Sequence, residues 1–258
     1  MQVIHQPAVA DMFYPADPER LISWMQNHVH PTADTNRRPR MLILSHAGYR
    51  FSGDTAAQGY RLLQKSQFKR VIVLCPAHRV YVKGIAVPTR WDAEATPLGR
   101  VPLDKMAIEQ LLTLPSVIVM TEAHRQEHAI EVQLPFLQYQ LGEFQLIPLV
   151  VGECPAEDVA RALELLMNDD TLVIVSSDLS HYLSSDIAKQ QDEQTIQQIL
   201  QFNETISGDQ ACGCYALNGA LHWAHQHQLT IELLAKCNSG DASHDKDRVV
   251  GYAAFAVY

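Results

Sequence analysis

No stretch of this chain is long and apolar enough to cross a bilayer. Its apolar runs fall far short of the ~20 residues that a spanning helix needs. The opening Met-Gln-Val-Ile-His-Gln-Pro has neither the charged start nor the apolar core of a secretion signal. The expectation is a soluble cytoplasmic protein with no membrane partner. Basic charge is also scarce. Twenty Lys and Arg stand against 29 Asp and Glu, and the one basic cluster is Arg37-Arg38-Pro-Arg40. A net charge of −9 argues against nucleic acid as a partner, because phosphate backbones are bound through clustered cations. Cysteine is sparse and odd in number: Cys75, Cys154, Cys212, Cys214 and Cys237. That suits free thiols or metal ligands better than a disulfide framework. No Gly-x-Gly-x-x-Gly, Walker loop or Gly-x-Ser-x-Gly elbow occurs. Ser176 and Ser177 lie near His181, but without the elbow serine hydrolysis has little support.

Three apolar runs are present, and each leads to a histidine: Met41-Leu-Ile-Leu-Ser-His46, Val71-Ile-Val-Leu-Cys-Pro-Ala-His78 and Leu172-Val-Ile-Val-Ser-Ser-Asp178-Leu-Ser-His181. Short Val/Ile/Leu runs without polar alternation read as strands buried on both faces of a mostly parallel sheet. In such sheets the site lies outside the carboxyl ends of the strands. Three imidazoles and a carboxylate placed there can converge on one spot, an arrangement that suits a metal ion.

The rest of the chain supports this layout. Asp17 and Pro18 open a helix to about Asn27, as N-cap and first helical residue. Residues 31–40 read as a polar loop. Asp54 is placed to cap a helix to about Lys65. Residues 84–103 read as short-stranded or irregular, around Trp91 and Thr96-Pro-Leu-Gly99. A helix near 104–113 and a strand near 116–120 come next. His124 to Leu141 is mostly helical, bent or delayed by Pro135. Strands over 145–150 and 171–176 flank a helix near 156–167. Helices over 186–204 and after Cys212 precede a final strand, 249–258. With 258 residues and a 47% hydrophobic composition, one domain over 1–258 is expected. The alternation predicts a three-layer αβα sandwich around a central mixed, mostly parallel sheet.

The residues that could carry chemistry each have a plainer reading. His46, in Ser-His-Ala-Gly-Tyr, and His78 are metal-ligand candidates or loop histidines bonded to backbone. Asp178 and His181, three apart, suit a hydrogen-bonded pair in which the carboxylate fixes the imidazole tautomer, or a helix cap. Cys212-Gly-Cys214 sits near a helix start, where the helix N-terminus lowers a thiol pKa and favours metal ligation; small core residues are the alternative. His124-Arg-Gln-Glu127-His128-Ala-Ile-Glu131 puts two histidines one helical turn apart, although the zincin His-Glu-x-x-His is missing.

Together, His46-Ala-Gly-Tyr-x-x-Ser-Gly53, Pro76-Ala-His78, Thr96-Pro-Leu-Gly99, Glu127-His128-x-Ile-Glu131, Ser176-Ser-Asp-Leu-Ser-His181, Ala211-Cys-Gly213 and Val250-Gly-Tyr252 resemble the Memo family, called AmmeMemoRadiSam system protein B in bacteria. The likeness runs in order from Phe13-Tyr-Pro15 to the C-terminus. Asp11 departs from it where the family usually has glycine, and Arg79 where a second histidine often follows. The resemblance implies a fold like the LigB-type class III extradiol dioxygenases, which hold non-haem iron with two histidines and a glutamate. His46 and His78 match the histidines, and Cys212 falls at the glutamate. Asp178 and His181 match residues of the same pocket and are the expected catalytic pair, with His128 and Glu131 as supports behind the ligands. A thiolate shifts metal preference toward softer ions, so iron or copper is the expected cofactor, with zinc as the alternative. The resemblance further implies functional association with AMMECR1-like and radical SAM proteins and an unidentified small-molecule substrate. Three readings follow: a dioxygenase-like redox protein, a non-catalytic binding module using the same pocket, and a zinc hydrolase.

Overall fold

A computed structural model describes residues 2–30 and 37–258; most of the expected polar loop 31–40 lies outside them. In chain order, the first half comprises β1 (Ile4–His5), α1 (Pro18–His28), β2 (Met41–Leu44), α2 (Asp54–Tyr60), β3 (Arg70–Pro76), β4 (Ile85–Val87), β5 (Ala93–Thr96), β6 (Gly99–Pro102), α3 (Lys105–Leu111) and β7 (Val117–Val119). There follow α4 (His128–Glu131), α5 (Leu134–Leu141), β8 (Gln145–Val151), α6 (Ala156–Leu166), β9 (Thr171–Ser176), β10 (His181–Leu183), α7 (Ser185–Leu200), α8 (Cys214–Gln226), β11 (Ile231–Asn238), α9 (Gly240–Ser243) and β12 (Val249–Val257).

The main sheet has the order β10-β12-β2-β9-β3-β8-β4-β7, with β11 also paired to β12. It is mixed. Its centre, β2-β9-β3-β8, is wholly parallel, and antiparallel pairings flank it at β12 and at β4. The apolar runs form this centre. Every residue of β2 and β9 is buried, as is β3 beyond Arg70, because helices cover both faces. α2 packs on β2, β11 and β12 and joins α1, α4 and α5 on one face. On the other, α8 lies on β3 and β9 with α6 behind it. A small sheet, β1-β5-β6, sits apart, and its β5–β6 hairpin turns through Pro97 and Leu98.

Local signals explain most boundaries. The Asp17 side chain accepts from Arg20 N (2.8 Å) at the start of α1. Pro135 sits in the first turn of α5, so the helical stretch 124–141 is split and α5 begins at Leu134. One expectation needs correction. Asp54 does not cap α2; a π-helical turn, Tyr49–Gly53, leads into it, and the helix ends at Tyr60 rather than Lys65. The strand β11 has no clear signal in the sequence. Its residues are mostly half-exposed, so the apolar run that marks the central strands is missing from it.

Candidate metal centre

β2, β9 and β3 are adjacent and parallel, so their carboxyl ends open on one edge. His46, Asp178 and His78 each lie two residues beyond the end of their strand. The His46 backbone N–H donates to Asp178 Oδ1 (2.8 Å), tying two of these loops together. The His46 ring is buried, with Nδ1 3.0 Å from Ser176 Oγ and Nε2 3.4 Å from Cys212 Sγ. Burial, then the neighbouring His78, push its imidazole down to about 3, so it is neutral at pH 7.

His78 is held by Glu127. The carboxylate accepts from His78 Nδ1 (2.9 Å), His78 N (2.9 Å) and Ala129 N (3.0 Å). Burial works against the charge of Glu127, but the His78 ring and these N–H groups outweigh it and hold the carboxyl at about 2. The carboxylate therefore sets the proton on Nδ1 and leaves the lone pair on Nε2 of His78. The ring itself remains 27% exposed and open to the pocket.

Cys212 arrives from the loop before α8. Its sulfur accepts from Asp178 N (3.3 Å). The next residue must be glycine here: a Cβ on Gly213 would stand 2.8 Å from Ser177 Cβ and 3.1 Å from Ser176 O. That close approach, with Gly213 N donating to Ser177 Oγ (2.9 Å), carries the cysteine to the strand ends. The expected lowering of the thiol pKa by the helix is reversed. Burial, then the Asp178 carboxylate, push it well up, and the sulfur is a thiol unless a cation offsets both.

The ligand atoms of His46, His78 and Cys212 all lie within 4.8 Å of one another. The donors fit a transition-metal ion, with one imidazole lone pair set by Glu127 and a thiol that needs a cation to ionise. His78, Glu127 and His128 form a second group of the same compactness. There the Glu127 oxygens are already occupied by three N–H donors, so this group supports the first. A pocket of about 740 Å³ opens over His46, His78, His128, Asp178, His181 and Cys212.

A model of the Memo family, described as Memo-like protein, matches residues 5–256. The chain belongs to the Memo family. Relatives named MEMO1 family proteins include one from Thermoplasma volcanium, 33% identical with 98% of this chain and 97% of that one covered. Another, from Aquifex aeolicus, is 34% identical, with 96% and 97% covered. The crystal structure of an uncharacterized Escherichia coli K12 protein, JW3007, is similar in fold at a TM-score of 0.50 and 14% identity, covering 84% of this chain and 99% of that one.

In this Memo chain the other expected site residues divide. His128 stacks on His78 (centroids 4.9 Å, 20°) and also meets Phe13 in a tilted contact (4.8 Å). Burial, then His46, push its imidazole down to about 4. His181 lines the pocket, but no hydrogen bond joins it to Asp178 among the described residues. It starts β10, where it pairs with Val250, and Asp178 is engaged with His46 instead. Glu131 turns away from the pocket. Its carboxylate accepts from Ala8 N (2.7 Å), Val9 N (3.1 Å) and Tyr14 Oη (2.6 Å), clamping the N-terminal segment that brings Phe13 against His128. Of the two glutamates it is Glu127, the N-cap of α4, that serves the site, beside Asp178. Ser176 and Gln133, also against the site, carried no sequence signal for this role beyond the position of Ser176 at a strand end.

Proposed function

We propose that this chain is a redox metalloprotein that holds iron or copper on His46, His78 and Cys212 and acts on a small ligand in the pocket above them. The convergence of two imidazoles and a thiol within 4.8 Å at the carboxyl ends of parallel strands carries the reading. When bound, such an ion supplies electron transfer and open coordination positions for oxygen or a small substrate. A thiolate in place of a carboxylate beside the two imidazoles favours copper(I), or iron in a readily oxidised site. The chain's own groups supply the rest. Glu127 orients His78 and enriches its lone pair. Asp178, buried and pushed above the usual carboxylate range by that burial, is suited to hold and return a proton beside Cys212 and His46. His181 at the pocket wall offers a second proton carrier.

Protein purified without oxygen is expected to contain close to one iron or copper per chain. Cys212→Ser should lose copper(I) affinity far more than Cys214→Ser, which replaces a residue buried at the start of α8. After mild peroxide, oxidation mapped by mass spectrometry should centre on Cys212. Equal metal loss in the two serine variants would refute the ligand assignment. Stoichiometric zinc, with no oxygen uptake on iron or copper loading, would favour a hydrolytic site.

A further inference from the structure

We propose that Ser176 is a positioning residue that sets the tautomer of His46, with Gln133 and Tyr60 locking Ser176 in that role; the inference rests on the use of His46 as a ligand. The argument is a count of hydrogens. The Ser176 hydroxyl has three neighbours: Ala129 O at 2.7 Å, Gln133 Nε2 at 2.8 Å and His46 Nδ1 at 3.0 Å. A carbonyl oxygen only accepts, so the single Ser176 hydrogen goes to Ala129.

Gln133 is fixed by what lies at its two ends. Its Nε2 also faces the carbonyl of Ser45 (3.1 Å), which only accepts. Its Oε1 receives the Tyr60 hydroxyl (2.7 Å). Both amide hydrogens are thereby assigned, one to Ser45 O and one to Ser176 Oγ. Ser176 donates once and accepts from Gln133, and its remaining lone pair faces His46 Nδ1. That nitrogen must carry a proton. The His46 lone pair is then on Nε2, the atom 3.4 Å from Cys212 Sγ.

Neither Tyr60, Gln133, Ser176 nor His46 is more than 2% exposed. Water cannot compete with the assigned bonds, and a wrong assignment leaves a buried group without its partner. Were the proton on Nε2, the Ser176 hydroxyl would have to turn to Nδ1 and abandon Ala129 O. The relay joins the end of α2, the start of α5, α4 and the end of β9. It couples the helical layer to the ligand set, as Glu127 does for His78.

The experiment uses metal-free protein labelled with nitrogen-15 at histidine, with the His46 signals identified by their loss in His46→Asn. At neutral pH the wild type should show a protonated Nδ1 and an unprotonated Nε2 for His46. In Ser176→Ala the Nε2–H form should appear, and iron(II) affinity measured without oxygen should fall about tenfold to hundredfold, as for other groups behind a ligand. Gln133→Leu, which frees the Ser176 hydroxyl to rotate, should move both readings the same way by less, and it stands in if Ser176→Ala does not fold. A wild-type signal in the Nε2–H form overturns the proposal. So does an unchanged Nδ1–H form in both folded variants. Wild-type protein that shows the expected tautomer but binds neither iron(II) nor copper(I) would sink the metal reading and leave the tautomer assignment standing.

Discussion

Replacing Glu127 by glutamine changes one atom at the point where the site is most tightly determined. The carboxylate accepts three N–H groups: Oε1 takes His78 Nδ1 and Ala129 N, and Oε2 takes His78 N. An amide has one oxygen. Its better orientation keeps that oxygen in the Oε1 position and turns the NH2 toward the His78 N–H, so one buried donor loses its partner at a cost of about 1–3 kcal/mol. The carboxyl's own preference gives a similar figure. Held at about 2 against an ordinary 4.5, it corresponds to roughly 3 kcal/mol of native preference for the charged form at neutral pH. Glu127→Gln should therefore lower the urea-unfolding free energy of the metal-free protein by about 1–3 kcal/mol. Because His78 also loses its anionic partner, iron(II) or copper(I) affinity should fall about tenfold to hundredfold. The two measurements separate the roles. A stability loss with unchanged metal affinity would reduce Glu127 to the cap of α4 and refute its orientation of His78. A variant as stable as wild type would refute the hydrogen-bond accounting itself.

The metal-free protein should be acid-labile in a defined window. His46 is held down at about 3, and His124 and His128 at about 4, in each case by burial first. The unfolded chain takes up protons near 6.5 while the native state does not, so stability is full above about 6.5 and falls as pH drops toward 4, by up to about 3 kcal/mol per group. Melting temperatures constant from pH 7 to 4 would contradict these shifts; His124→Phe, away from the pocket, should flatten part of the curve. At the N-terminal turn, Asp11 has φ 65° and its Oδ1 accepts from Ala16 N (2.9 Å). Asp11→Ala should cost about 1–2 kcal/mol and Asp11→Gly much less, because only the alanine combines left-handed strain with the lost bond. Equal thermal shifts for the two variants would show that the turn is not strained.

Much of the arrangement was legible because buried parallel strands leave a plain mark. Both faces of β2, β3 and β9 are covered, so their interiors are apolar, and the polar groups of the site follow within two residues of their ends. His46, His78 and Asp178 could therefore be read from local pattern alone. The Asp11 departure also had a local meaning: the position requires a left-handed backbone, which glycine adopts freely and aspartate tolerates. Other features depended on contacts far apart in sequence. Glu127 and Glu131, one helical turn apart, look equivalent on a helical period. Yet Glu127 is the extended N-cap, with φ −83° and ψ 116°, and reaches back to His78 across 49 positions, while Glu131 reaches the N-terminal segment more than 115 positions away. No window of sequence distinguishes them.

Which strands are buried, and which polar residues follow their ends, can be read along the chain, because burial on two faces constrains composition residue by residue. Long-range packing, in contrast, puts β9 between β2 and β3, brings Cys212 to His46 across 166 positions, and stands Ser176 and Gln133 behind that histidine. Those outcomes follow from strand order and from the directed satisfaction of buried hydrogen bonds, and both are properties of the assembled fold.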